Sequence, residues 1–168
     1  MKTTDISSSP SAKPYVILEE DITHVGKEQK LISEILDELE TKTTKADKLD
    51  ILKENDSKML RFILQAAFDK NVQSILPDGE PPYSPGPKEN QVSLYELEPD
   101  FPKLFKNGPM TKSPLVKVEM VFMNMLKSLS PKEAKILVLT KDQRLHSMYK
   151  RLTKPIVKEY LKNTVEIS

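Results

Sequence analysis

Ser130-Pro131-Lys132-Glu133-Ala134-Lys135-Ile136-Leu137-Val138-Leu139 carries the most specific structural signal in the chain. A serine offers an oxygen to the unpaired N–H groups of a helix start. Proline suits the first helical position, where its missing donor costs nothing, and a glutamate three residues after the serine completes a capping box. The stretch predicts a helix opening at Ser130 with Ala134, Ile136, Leu137 and Leu139 inside. Upstream, Ser113 as cap and Pro114 in the first turn predict another helix, carrying Leu115, Val118, Val121, Phe122, Met125 and Leu126. Downstream, Thr153 is placed to cap a helix from about 154 to 161 with Ile156, Val157, Tyr160 and Leu161 as its contacts.

The first half reads the same way. Leu31, Ile32, Ile35, Leu36 and Leu39 recur at helical spacing and predict an acidic helix near 27–41. A second helix is expected near 44–54, with Leu49 and Leu52 on one face and Asp47 and Lys48 outside. Asp56 or Ser57 then caps a third, running to Phe68 with Leu60, Ile63, Leu64, Ala67 and Phe68 buried. Nine of the thirteen prolines fall between Pro77 and Pro114, which excludes a long helix or central strand there. Short turns packed through Phe101 and Phe105 are expected around 93–105. No alternating strand pattern of useful length is present. The expectation is an all-α, small multi-helix domain over 27–163 with a Pro-rich central loop, its connector spanning 77–114. A disordered tail is expected at 1–14 and a short docking or edge segment at 15–26.

Composition narrows function. The absence of cysteine removes disulfides, thiolate metal sites and thiol nucleophiles, and four glycines with two histidines leave little material for phosphate loops or imidazole catalysis. No apolar run approaches the roughly 18 residues of a membrane span, and no signal-like segment opens the chain, so a cytoplasmic address is expected. Net charge is +1, yet residues 1–102 hold 12 basic and 20 acidic side chains and residues 103–168 hold 14 and 5. Such a polarised chain can attract phosphate or an acidic surface with one half and screen it with the other.

Lys48-Leu49-Asp50-Ile51-Leu52-Lys53-Glu54-Asn55-Asp56-Ser57, Leu60-Arg61 and Phe68-Asp69-Lys70-Asn71 lead to Leu76-Pro77-Asp78-Gly79-Glu80-Pro81-Pro82-Tyr83. Glu133-Ala134-Lys135-Ile136-Leu137, Lys141-Asp142, Leu145-His146, Tyr149-Lys150 and Leu152-Thr153 follow. In this order the motifs resemble an uncharacterised family of small tailed-bacteriophage (myovirus-type) proteins of unknown function, over about 45–162. The resemblance implies a viral, mainly helical protein of the host cytoplasm and assigns no reaction.

Candidate sites follow from residue chemistry. Pro77, Pro81, Pro82 and Tyr83 form a candidate protein contact, because proline lowers the entropy cost of docking and tyrosine is an amphipathic anchor; a rigid connector is the plainer reading. Arg144, Lys150, Arg151, Lys154 and Lys158 are candidate nucleic-acid contacts in a layout similar to a helix-turn-helix, although the turn glycine is missing. Met120, Met123 and Met125 are read first as core, with a binding patch as the alternative if Met120 or Met123 is exposed beside Phe122. Asp142 and His146, four apart, and Ser147 with Lys150 lack the surroundings of a catalytic site. No catalytic residue, metal ligand or cofactor is therefore assigned. The expected function is non-enzymatic protein–protein binding by a bacteriophage accessory protein, directed at host or viral transcription or replication machinery. The alternative is nucleic-acid binding through the basic C-terminal half.

Overall fold

Apolar residues at helical spacing become seven α-helices in the computed structural model, which describes residues 29–162. They are α1 (Ile32–Glu40), α2 (Lys45–Glu54), α3 (Lys58–Phe68), α4 (Leu115–Ser128), α5 (Pro131–Lys141), α6 (Leu145–Met148) and α7 (Lys154–Lys162). Among the described residues there is no strand, only the isolated bridges Ser74–Phe105 and Val92–Leu129. The fold is all-α, and no described helix is long and apolar enough to cross a membrane. The segments expected at 1–14 and 15–26 lie outside the described residues.

Helix α3 is central, packing on α5 and α7, while α1 lies on α2 and α5, α2 on α7, and α4 on α5. The stripe read from the sequence anchors α1, since Ile32, Ile35, Leu36 and Leu39 are fully buried. At roughly 1.5–3 kcal/mol for each such side chain, this outweighs the half-exposed Asp37–Lys132 ion pair at 2.5 Å, a kind of contact that contributes about 0–1 kcal/mol. Thr44 and Ser57 cap α2 and α3 by accepting from the N–H groups of Asp47 and Leu60, each at 3.1 Å. The connector folds into 3-10 turns at Lys88–Asn90, Leu94–Leu97 and Phe101–Leu104, with Phe101 stacked on Phe62 and tilted against Phe105.

Four expectations need correction. Helix α1 begins at Ile32, because Gln29 to Leu31 are not helical. Lys48 is buried rather than outside. Pro114, not Ser113, occupies the cap position of α4, and Leu115 in its first turn is 47% exposed because that turn projects beyond the core. The Ser130 box is only half formed: Ser130 accepts from the Glu133 N–H at 3.4 Å, but the Glu133 carboxylate is used elsewhere.

That carboxylate is 99% buried and joins two distant elements. Leu31 is the N-cap of α1 and has no side-chain acceptor. Glu133 supplies one, its Oε2 accepting from the Ser33 N–H and its Oε1 from the Leu94 N–H, both at 3.0 Å. The negative charge thus stands at the start of α1 and of the Leu94–Leu97 turn, where the backbone donors are unpaired and the dipole favours an anion.

Candidate functional site

Two consecutive side chains at the end of α5, Lys141 and Asp142, fix the Pro-rich loop, and the next, Gln143, fixes the end of α3. Lys141, 97% buried, donates to the Pro77 carbonyl at 2.8 Å, ion-pairs with Asp142, and lies 5.5 Å from the centre of the Phe122 ring. Asp142 accepts from the Gly79 N–H at 2.9 Å, and Gly79 has φ +102°, a backbone geometry that glycine adopts without strain. Gln143, itself at φ 57°, donates its amide to the carbonyls of Ala66, Asp69 and Val72 at 3.0, 2.6 and 3.0 Å. It closes the carboxyl end of α3. Farther along, the Gly86 and Val92 N–H groups donate to the carbonyls of Lys127 and Ser128 at 3.0 and 2.8 Å. The loop is therefore pinned at several points along its length.

Held this way, Leu76 to Pro82 overhang α4 and enclose a cleft of about 310 Å³ whose other wall is Glu119, Phe122 and Met123. Pro77, Pro81 and Pro82 line it; Tyr83 does not, being half-buried against the core. Burial first, and the Glu80 carboxylate second, push the Tyr83 phenol above its ordinary pKa. Acidic groups rim the cleft at Asp78, Glu80 and Glu119, with Glu80 shared by Lys135 at 3.6 Å. Val118, Phe122, Met125 and Leu126 turn into the core, leaving Val116 and Met120, each 60% exposed, beside Leu115 and the half-buried Met123. Positions 116, 120 and 123 share one side of the helix, so the apolar surface continues out of the cleft. Met120 is exposed, though with Val116 rather than beside Phe122, which is buried; the sequence signal was this second stripe, opposite the core-facing one.

The basic candidates separate. Lys150, Lys154 and Lys158 line grooves between α3 and α7, which also take in Lys70 and Lys162, not among the expected contacts, and Phe68, expected to be buried but only partly so at the end of α3. Arg151 instead faces α1, its N–H donating to Glu40 at 3.0 Å and its guanidinium to the Lys42 carbonyl at 2.9 Å. Arg144 is exposed outside both grooves. Helix α7 packs on α2 and α3, with the four-residue α6 between it and α5. Asp142 is committed to Lys141 and Gly79, away from any pairing with exposed His146, and Ser147 donates to the Arg144 carbonyl at 2.7 Å.

The arrangement defines a helical protein whose proline-rich loop is clamped over an apolar cleft. The chain belongs to a family of unknown function (DUF6433), which matches residues 35–147. That span runs from α1 to α6 and contains both the clamped loop and its Lys141-Asp142 anchor. No curated protein and no solved structure matches the chain.

Proposed function

We propose that this chain is a non-enzymatic protein-binding module that receives an amphipathic helix along α4 and the cleft beneath Pro77–Pro82. The observation that carries the reading is the exposure of Leu115, Val116 and Met120, at 47%, 60% and 60%, beside a preformed cleft. Exposed apolar side chains that adjoin one another, rather than being scattered singly, mark interaction sites, and methionine adapts to a partner's shape. A helix laid in a groove presents anchors at i, i+3 or i+4, and i+7, matching the length of this strip. The acidic rim of Asp78, Glu80 and Glu119 selects a partner helix with Lys or Arg beside its apolar residues. The motif resemblance supports a bacteriophage accessory role in the host cytoplasm, with a component of host or viral transcription or replication machinery as the partner.

The test is affinity purification of the full chain from host cells, with and without nuclease, beside a Val116→Glu, Met120→Glu variant. Both positions are exposed, so the variant keeps its fold. The reading expects a nuclease-resistant partner that the variant loses at least about tenfold, the change expected when buried charges oppose an apolar contact. Equal recovery of every protein by the two chains would overturn it.

A further inference from the structure

Along the grooves beside α3 and α7, the lysines are arranged differently. Lys103, Lys132, Lys135 and Lys141 each hold a carboxylate. Lys70, Lys150, Lys154, Lys158 and Lys162 have no ion-pair partner among the described residues, and all are exposed. These five line two adjoining grooves of about 630 and 460 Å³ that share Phe68, Lys70 and Lys154. Lys154, Lys158 and Lys162 stand at i, i+4 and i+8 of α7, so their ammonium stems leave one side of the helix about 6 Å apart. One carboxylate, Asp69, belongs to the lining, and it already accepts from the Asn71 N–H at 2.9 Å. Between the lysines lie the partly exposed Phe68 and Leu161, backed by the buried Leu152 and Val157.

A cationic rim around an apolar floor suits a ligand that alternates negative groups with flat apolar ones. We infer that this groove binds single-stranded nucleic acid, its lysines taking successive phosphates while base faces cover Phe68 and Leu161. A duplex keeps its bases stacked inside and would leave that floor uncovered. An acidic peptide is the weaker match, because both nearby arginines, Arg144 and Arg151, stand outside the lining. The planar guanidinium is the group that pairs two-to-two with carboxylates, whereas lysine acts as the point charge that suffices for backbone phosphate. The grooves share no lining residue with the proposed protein contact, so either can fail alone.

The experiment is fluorescence anisotropy of the full chain with a labelled oligothymidylate over a range of salt. Five phosphate contacts give a log–log salt slope of about −3.5, or about a hundredfold weaker binding on a fourfold rise in salt. Replacing Lys70, Lys154 and Lys158 by Gln should lower the slope to about −1.4, with the helical circular dichroism unchanged. Replacing Lys88, Lys112 and Lys117, exposed lysines elsewhere, should leave the slope as it was. Absence of binding at low salt, equal losses in the two triple variants, or tighter binding of duplex DNA or polyglutamate would each overturn the inference.

Discussion

Glu133 accepts a hydrogen bond from the Ser33 N–H, one hundred residues earlier in the chain. The contact places a buried carboxylate of α5 at the start of α1, and its second oxygen does the same for Leu94. Removing it leaves two backbone donors without an acceptor. Glu133→Ala is expected to lower unfolding stability by about 3 kcal/mol, at about 1–3 kcal/mol for each stranded group. Glu133→Gln, which still accepts one bond, should lose roughly half as much. Urea unfolding measures both, and an unchanged midpoint for the alanine variant would remove Glu133 from this role.

Buried phenols set the alkaline limit. Burial, then the Glu133 and Glu34 carboxylates, push Tyr95 up to about 12. Burial likewise leads for Tyr149 and Tyr160, with Asp37 and Asp56 adding to it, and drives both well above the ordinary 10.0. A raised folded-state pKa means the folded chain keeps protons that the unfolded chain releases. The stabilisation is therefore full below pH 10 and is lost as pH rises through the folded-state values. The unfolding midpoint should fall from about pH 10 upward. Tyr160→Phe should flatten that fall, although it gives up the bond to Asp56. An equally steep fall in the phenylalanine variants of Tyr95, Tyr149 and Tyr160 together would contradict this source.

Gln143 combines a left-handed backbone with an amide shared among three carbonyls. Alanine loses the hydrogen bonds and keeps the backbone cost; glycine loses the bonds but relieves that cost. Both variants should be less stable than the parent, with glycine above alanine by about 1 kcal/mol. Thermal unfolding ranks the three chains, and alanine above glycine would be the wrong order.

Helix α1 is held by its apolar stripe, so deleting residues 1–41 should unfold the chain rather than release a screened basic surface. A hydrophobic dye and circular dichroism would record bound dye and lost helix. Asp37→Asn, which weakens only the contacts to Lys132 and Tyr149, should cost about 1 kcal/mol or less and leave the helix content intact. A folded 42–168 fragment would refute the core assignment of α1.

Local rules made most of the helices legible. Ile35 and Leu39 are one helical turn apart, and Ser57 directly precedes the run it caps. The same rules misplaced Glu133, because a capping box assigns its carboxylate a partner three residues away, whereas tertiary packing offered it Ser33 and Leu94. Charge tallied by chain segment also misled. Lys70 lies in the acidic half of the sequence, yet the turn after α3 sets it beside Lys154 on the basic groove. On α4, the amphipathic reading placed Leu115 inside because apolar spacing alone does not reveal where the underlying core ends.

The central claim is that α4 and the clamped loop form a protein-binding face, and a photo-crosslinking amino acid at position 120 tests it most directly. Compared with the same probe at Lys53 on the exposed side of α2, position 120 should yield one dominant adduct in the cells that produce the chain. Its crosslinked segment should carry apolar residues at helical spacing and flanking Lys or Arg, and the adduct should persist after nuclease treatment. Identical adduct patterns from positions 120 and 53, or an adduct at 120 to an acidic segment, would contradict the account.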